Sequence, residues 1–165
     1  MQNPRNAGFT LVEMVAVIAI IGILAMISVP SIIDRIVHEQ IAAAIPLSDI
    51  AKKPIAAAWA SLQAFPANNS ETGLPAADKV VSNLVKSLSV EDGVIHLTFG
   101  NSAHGAISGK ILSLRPAVIE ESPVVPVAWV CGNAPVPEKM VVKGVNKTNL
   151  DLQYLPSGCR GGSGK

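Results

Sequence analysis

A single acidic residue lies within the most apolar stretch of the sequence. Glu13 follows the short polar stretch of residues 1–8 and is the only charged residue of the run 9–33. A charged side chain at bilayer depth costs about 2.5–3.5 kcal/mol on insertion scales, so it is normally found with a partner. The chemistry that this position offers is the pairing of a carboxylate with a cation in an apolar medium.

The length of the apolar run separates two common explanations of such an N-terminus. Its uncharged part, residues 14–33, is about 20 residues long, which is the length that spans a bilayer as a helix. A secretory signal peptide instead has an apolar core of about 7–15 residues followed by an A-x-A cleavage site. Residues 31–35, SIIDR, contain no such site. A plain membrane anchor explains the length of the run but leaves Glu13 unexplained.

Residues 8–13 read GFTLVE and lead into the long apolar run. This arrangement resembles the N-terminal signature of type IV prepilins, a G-F-T-L-x-E motif after a short hydrophilic leader. The resemblance implies that a prepilin peptidase removes the leader, residues 1–8, by cutting between Gly8 and Phe9. It also implies that the new N-terminal residue, Phe9, is methylated. Several residue types in a fixed order make this motif more specific than most short patterns.

Cleavage after Gly8 would give Glu13 a counter-charge. The new amine on Phe9 lies four residues from Glu13 in the sequence, and a carboxylate in a low-dielectric medium needs such a cation. The prepilin resemblance implies that Glu13 pairs with the N-terminal amine of a neighbouring subunit and sets the register of stacked helices. Pairing of Glu13 with the amine of its own chain remains the alternative.

The length, charge and motifs of the chain limit its classes of function. With 165 residues it has room for one modest domain beside the apolar segment, because domains commonly contain about 100–150 residues. A formal net charge of +1 gives no strongly basic face for nucleic acid. The sequence has no Walker loop, G-x-S-x-G elbow, H-E-x-x-H motif or paired-carboxylate constellation, so we predict no enzyme, cofactor or metal site. His96 lies on a predicted strand, where a surface or cross-strand position is favoured over a catalytic base.

The cysteines fit an exported domain. Arg5, ahead of the apolar run, favours an N-terminus inside and the rest of the chain outside. Cys131 and Cys159 are the only cysteines, and an isolated pair in an exported domain predicts a disulfide rather than two reduced thiols or a metal site. A loop of about 28 residues contributes about 3–4 kcal/mol in the chain-entropy model.

The apolar run, residues 9–33, is predicted to be the first half of a long helix that continues as an amphipathic half over residues 34–65. The apolar stripe of the second half recurs at intervals of three and four residues and comprises Ile33, Ile36, Val37, Ile41, Ala44 and Ile45. In type IV pilins a glycine and a proline in this helix are associated with local bending or melting in the fibre, and Gly22 and Pro30 match them. Simple curvature at the prolines is the alternative, and Pro46 and Pro54 indicate a later kink or an interrupted helix end.

Turn-forming residues separate this helix from a region of strands. Residues 66–75 have the composition of an exposed loop, and apolar residues at helical spacing predict a short helix over residues 76–88. Three strands are predicted, over residues 93–100, over residues 110–115 with an end at Pro116, and over residues 127–131. Residues 66–92 are thus a connecting region and residues 93–165 a head with an antiparallel sheet. A sheet packed on the helix is an α+β fold.

A second resemblance lies at the other end of the chain. Residues 129–132, WVCG, and residues 154–160, YLPSGCR, look like the disulfide-closed C-terminal loop of type IVa pilins, and residues 93–115 are also similar to pilins. The resemblance therefore spans most of the chain. It implies the type IV pilin fold, a long N-terminal hydrophobic helix packed on a small antiparallel sheet.

The combined resemblance implies a structural subunit that polymerises through its N-terminal helix into a helical filament of identical copies. Such a fibre implies adhesion, twitching motility and a role in DNA uptake. The implied partners are the inner membrane before assembly, with the head on the periplasmic side, the prepilin peptidase, the pilus assembly machinery, and DNA or a host-surface receptor. The alternative is a minor or tip pilin that acts as a binding module, or a type II secretion pseudopilin. Lys139, Lys143 and Lys147 give the C-terminal loop a mild positive bias, for which a solvated surface is the simpler explanation.

Overall fold

The computed structural model describes residues 8–161, with the backbone alone over residues 27–31. The chain divides into two compact units, one ending at Arg35 and the other beginning at Ile36. The first unit is called the helical unit below, and the second is called the head.

The helical region consists of two helices joined by a short turn. Helix α1 extends over Leu11–Ala44, a 3-10 turn occupies Ile45–Ser48, and helix α2 extends over Asp49–Leu62. Pro46 lies in the 3-10 turn, where its missing N–H interrupts the α-helical hydrogen-bond series, whereas Pro54 lies inside α2. The predicted amphipathic half therefore contains an interruption at the first of these prolines and none at the second.

In the helical unit, the apolar side chains of residues 9–26 are exposed in the single chain. The exposed fraction of the large ones runs from 45% at Val17 to 83% at Phe9. Among the described residues, no helix combines the length and the apolarity expected of a membrane span.

The head contains a five-stranded antiparallel sheet. In chain order the strands are β1 (Val85–Glu91), β2 (Val94–Phe99), β3 (Ile111–Val118), β4 (Ala128–Cys131) and β5 (Val141–Val142). The first four follow one another across the sheet, and β5 pairs with the end of β3. Because Ala117 of β3 pairs with both β4 and β5, β5 lies on the edge of β3 that faces β2.

The short helix predicted over residues 76–88 is wrong. The structure has a 3-10 turn at Ala77–Lys79 and then strand β1. β1 and β2 are joined by Asp92 and Gly93, whose φ angles of 47° and 79° are both positive, as a type I′ hairpin turn requires. The apolar spacing of this segment fits a helix as well as a strand, and its pairing with β2 stabilises the strand.

The predicted end of a strand at Pro116 is also wrong, because β3 continues to Val118. Pro116 C=O accepts a hydrogen bond from the Lys143 N–H at 2.8 Å, next to β5 and away from β4. The nitrogen and the carbonyl of a strand residue point to the same edge, so the missing N–H of this proline removes no hydrogen bond to β4.

The core of the head lies between the helices and one face of the sheet. The predicted helical stripe is buried at Val37, Ile41 and Ala44 but exposed at Ile33 and Ile36. The remaining core side chains include Ala51 and Ile55 of α2 and Val85, Leu88, Val90, Ile95, Leu97, Phe99, Leu112 and Leu114 of the strands. This packing of helix on antiparallel sheet confirms the predicted α+β fold.

Candidate functional site

The N-terminus of α1 is organised by Thr10 and Glu13. Thr10 donates both its backbone N–H and its hydroxyl to Glu13 Oε2, each at 2.8 Å, and Glu13 N–H donates to Thr10 Oγ1 at 3.3 Å. This reciprocal arrangement is a capping box, which satisfies N–H groups that have no partner within the helix. Sequence reasoning missed this role of Glu13, although the T-x-x-E spacing of residues 10–13 signals it.

The capping box leaves part of the Glu13 carboxylate free. Both hydrogen bonds go to Oε2, and Oε1 has no partner within residues 8–161. One oxygen can therefore hold the first turn of the helix while the other accepts a cation. The local cap and a charge pair with another group are compatible roles for this side chain.

The predicted cleavage position lies in an exposed segment ahead of the helix. Gly8 and Phe9 precede α1, both are exposed, and a Cβ placed on Gly8 would meet no atom within 4 Å. An accessible peptide bond outside regular secondary structure is the form that a peptidase needs. The rest of the predicted leader, residues 1–7, lies outside the described residues.

The two residues predicted to make the helix flexible both lie within α1. A Cβ added at Gly22 would meet nothing within 4 Å, so close packing within the described chain does not require glycine there. The side chain of Pro30 lies outside the described residues. Their effect on helix flexibility in a fibre therefore stays a prediction.

The predicted disulfide between Cys131 and Cys159 is confirmed. It joins the end of β4 to a 3-10 turn at Ser157–Cys159, and Asn133 N–H donates to Cys159 C=O at 3.0 Å beside it. Gly132 has a φ of 54°, and a Cβ at this position would lie 2.9 Å from the Cys159 carbonyl oxygen. The close approach of the two chain segments therefore requires glycine next to the first cysteine.

The disulfide encloses residues 132–158, called the disulfide loop below, and polar groups fix this loop to the sheet. Lys147 N–H donates to Ser113 Oγ at 2.9 Å, and Ser113 N–H donates to Thr148 Oγ1 at 3.0 Å. Ile111 N–H of β3 donates to Asn149 Oδ1 at 2.6 Å, and within the loop the Asn146 side chain donates to Gly132 C=O at 3.0 Å. Sequence reasoning missed these residues because each bond joins positions far apart in the chain.

His96 is buried on β2, with 2% of its surface exposed. It faces Ser113 across the β2–β3 pair, and its Nδ1 lies 2.9 Å from Ser113 Oγ. Burial lowers the pKa of His96, the nearby carboxylate of Glu91 partly offsets this effect, and Lys147 adds to it. The expected cross-strand position is therefore confirmed, and the surface position is wrong. Within the described part of the chain no group of His, Cys, Asp and Glu side chains could hold a metal ion.

Two of the three lysines of the disulfide loop are paired. Lys143 forms an ion pair with Glu120, and Lys147 forms one with Glu91. The hydrogen bond from Lys147 lowers the pKa of Glu91. Paired lysines fit the interpretation of this loop as a solvated surface, because nucleic-acid binding needs a basic cluster with free charge.

Asn69 holds the connecting region against the edge of the sheet. Its side-chain amide donates to Leu88 C=O and to Pro75 C=O, each at 2.9 Å, and its Oδ1 accepts the Val90 N–H at 2.6 Å. The side chain thus takes the place of a neighbouring strand along β1 and covers its outer edge, which would otherwise be open to pairing. Only its turn-forming composition marked this region in the sequence, so the role of Asn69 was missed.

Two protein families match this chain. The family described as pilin (bacterial filament) matches residues 40–160, and the prokaryotic N-terminal methylation motif matches residues 3–29. The first match covers most of the head, and the second covers most of the predicted leader, the cleavage position and much of the apolar run.

Similar proteins come from Neisseria and Eikenella. A type IV major pilin protein, PilE1, of Neisseria gonorrhoeae is 34% identical over 96% of this chain and 89% of that pilin. A fimbrial protein of Neisseria meningitidis serogroup B is 31% identical over 98% of both chains. The fimbrial protein EcpC of Eikenella corrodens is 31% identical over 93% of this chain and 90% of its own length. The similarity therefore extends over nearly the full length of these proteins.

Proposed function

The chain belongs to the type IV pilin family, and from that premise we propose that it is a major structural subunit of a type IV pilus, built into the fibre through its N-terminal helix. Pilins are structural proteins, so this one is a filament protein rather than an enzyme. Four similar gonococcal proteins are named as major pilins, which favours an abundant subunit over a minor one.

The exposed apolar surface of the helical unit carries this proposal. Large apolar side chains of residues 9–26 are 45–83% exposed in the single chain, and a continuous exposed apolar surface of this kind marks an interaction site. Before assembly the proposed partner of this surface is the inner membrane, with the head on the periplasmic side. In the extracellular fibre its partners are the helices of neighbouring copies.

In the proposed assembly, the amine created by cleavage and the carboxylate of Glu13 set the register between the helices of neighbouring copies. Removal of residues 1–8 by the prepilin peptidase creates an amine on Phe9, which is then methylated. Glu13 Oε2 is held by Thr10, and Oε1 accepts the amine of a neighbouring copy. A carboxylate among apolar helices is unfavourable without such a cation, so copies that place the amine against Glu13 are selected during assembly by the pilus machinery.

Adhesion and retraction-driven twitching motility are the proposed uses of the fibre. Both depend on a polymer that presents many copies of the head at the cell surface. A direct contact with DNA during uptake receives less support, because Lys143 and Lys147 are already paired with carboxylates.

The test removes the negative charge of Glu13 but keeps its capping hydrogen bonds. Glutamine at the third position of a helix can still complete a capping box, so Glu13→Gln keeps the first turn of α1 and removes the negative charge. We expect normal cellular amounts of the protein but a loss of most sheared surface fibre. Glu13→Ala, which loses both the cap and the charge, should assemble no better than the glutamine variant.

Glu121→Gln is the matched control, because it removes an exposed glutamate of the head and should leave fibre yield unchanged. Mass spectrometry of wild-type fibres should find this chain as the dominant component, beginning at methylated Phe9. A normal yield of fibres from Glu13→Gln would contradict the proposed pairing, and fibres that retain residues 1–8 would contradict the proposed processing.

A further inference from the structure

Four side chains form a cluster on the face of the sheet opposite the helices. His96 of β2 lies against Ser113 of β3, Ser113 Oγ accepts the Lys147 N–H of the disulfide loop, and Lys147 forms an ion pair with Glu91 of β1. This cluster, His96, Ser113, Lys147 and Glu91, is called the His96 latch. It connects three strands to residues 143–149 of the disulfide loop.

The hydrogen bonds of the latch are complete only when His96 is neutral. Ser113 Oγ uses one lone pair to accept the Lys147 N–H. Its own hydroxyl hydrogen then needs an acceptor, which Nδ1 of a neutral imidazole supplies at 2.9 Å. The neutral tautomer with its proton on Nε2 therefore satisfies His96 Nδ1, the hydroxyl and the amide together.

Protonation of His96 removes that acceptor. In the imidazolium form Nδ1 is a donor, and the Ser113 hydroxyl hydrogen then has no other acceptor among residues 8–161. Ser113 is fully buried, so water cannot replace the lost partner without a local opening. An unsatisfied buried hydroxyl and a buried cation are both unfavourable.

Burial opposes the protonation of His96, and the charges around the latch offset this effect only in part. Glu91 is the only carboxylate of the cluster and is already paired with Lys147. Arg115 lies on the same face of β3 as Ser113 and donates to Gly132 C=O at 3.2 Å. Ser89, which faces His96 from β1, is uncharged, and Asp92 in the hairpin turn is exposed to solvent. Glu91, which favours the imidazolium, acts on His96 more strongly than Lys147, so burial is the cause that keeps the pKa of His96 below its ordinary value.

We propose that the His96 latch is a pH-sensitive contact, and that protonation of His96 releases residues 143–149 of the disulfide loop from the sheet. The disulfide still holds both ends of the loop, so the released segment stays attached to the head. Mild acid would thereby change the surface that the head presents without unfolding the core. This inference does not depend on filament assembly, so its test and that of the proposed function can fail separately.

Hydrogen–deuterium exchange of the full-length chain in detergent micelles tests the latch. Exchange is measured at about pH 7.5 and at about pH 5, on either side of the ordinary histidine pKa. Each measured rate is compared with the intrinsic exchange rate at the same pH, so that the protection of each amide can be compared between the two conditions. We expect the protection of the Lys147 and Asn149 amides to fall by about tenfold in acid, because the open form of the latch binds the proton more readily than the closed form. The amides of Leu97 and Leu112, within the β2–β3 pair, should keep their protection.

His96→Asn removes the titrating group and keeps a polar atom near the position of Nδ1, so the acid-dependent loss should disappear. His104→Asn is the control, because His104 is an exposed histidine of the β2–β3 loop, and this variant should behave as the wild type. Equal protection at both pH values in the wild type would overturn the proposal, as would an acid-dependent loss that persists in His96→Asn.

A second measurement applies if His96→Asn does not fold. The ring of His96 in the wild-type chain can be titrated by NMR, and its midpoint compared with the midpoint of the loss of amide protection. The two midpoints should coincide. A ring that stays neutral throughout the range in which protection is lost would overturn the proposal.

Discussion

In the helical unit, large apolar side chains of residues 9–26 are 45–83% exposed, whereas Val37, Ile41 and Ile55 of the head are 0% exposed. The same residue types thus occupy opposite environments in two units of one chain. Burial of apolar surface provides about 25 cal/mol per Å², so only the head gains this stabilisation from the single chain.

This contrast separates the element that stabilises the folded chain from the element proposed to drive assembly. The head has a closed core and a disulfide, and these account for its stability as a separate unit. The apolar surface of the helical unit has no such partners within the described chain and gains them only in a lipid or protein environment. Substitutions in the two units should therefore change different measurements.

The largest expected effect comes from the core of the head. Phe99 is fully buried between the helices and the sheet. Phe99→Ala should lower the free energy of unfolding by about 3–5 kcal/mol, because it removes apolar contacts and leaves a cavity. Chemical denaturation followed by tryptophan fluorescence measures this change, since both tryptophans, Trp59 and Trp129, belong to the head.

Ile21→Ala is the matched control in the helical unit, where Ile21 is exposed. Its effect on unfolding of the head should stay within about 0.5 kcal/mol, as for other exposed positions. It should instead reduce fibre yield, because it removes apolar surface from the proposed fibre core. If Ile21→Ala destabilised the head as much as Phe99→Ala does, the two units would not have separate roles in folding and assembly.

The disulfide should have an effect almost as large on the head. It closes a segment with a sequence separation of 28 residues. Replacing Cys131 and Cys159 together by serine should lower the free energy of unfolding by about 3–4 kcal/mol in the chain-entropy model. The same denaturation experiment on the wild type, with and without a reductant, provides an independent measurement.

The helical unit supplies the contrast for this second experiment. The far-ultraviolet helical signal of the double variant in detergent should persist at denaturant concentrations that unfold its head, because residues 9–35 contain no cysteine. A shift of less than about 1 kcal/mol on reduction would show that the native loop contacts, rather than the bridge, hold residues 132–158 in place.

The correct sequence predictions rest on local patterns that the fold preserved. The disulfide followed from an isolated pair of cysteines, and the strands corresponding to β2 and β4 followed from apolar runs bounded by turn residues. The burial of Val37, Ile41 and Ala44 followed from their helical spacing. In each case the sequence pattern was compatible with only one simple structure, either a disulfide between the two cysteines or an apolar face packed in the core.

The errors arose where a pattern had two solutions. The spacing of Val80, Leu84 and Leu88 fits a helix, yet Asp92 and Gly93 form a hairpin turn and D-G between apolar segments is a strong hairpin signal. The D-G turn signal, rather than the apolar spacing, therefore corresponds to the structure at β1. Pro116 illustrates a different limit, because the edge to which its nitrogen points depends on strand register.

Hydrogen bonds between side chains and backbone groups far apart in the chain could not be predicted from the sequence. Asn69 holds β1, and Thr148 holds β3, through bonds to backbone groups far away in the chain. Turn residues of these types usually bond to their own neighbours, so nothing local distinguished them. Glu13 is the opposite case, because its capping partner Thr10 is only three residues away and the T-x-x-E spacing predicts the bond.

The smallest expected effect concerns the ion pair between Glu91 and Lys147, which joins β1 to the disulfide loop. The two side chains are 49% and 43% exposed, so solvent screens their attraction. Glu91→Gln should therefore lower the free energy of unfolding of the head by less than about 1 kcal/mol at neutral pH. Glu121→Gln, at an exposed glutamate elsewhere in the head, is the control and should change it less.

The pH dependence of this difference identifies its cause. The hydrogen bond from Lys147 lowers the pKa of Glu91 from its ordinary value of 4.5, so the folded state favours the ionised form. Through the titration of Glu91 itself, the resulting stabilisation is present above pH 4.5 and is lost as the pH falls through the lowered pKa of the folded state. Release of the His96 latch would remove it at a higher pH. The wild type and Glu91→Gln should therefore converge in stability at acidic pH, and also in about 1 M salt, which screens exposed charges. A difference that persists under both conditions would assign the effect of Glu91 to packing of the loop rather than to charge.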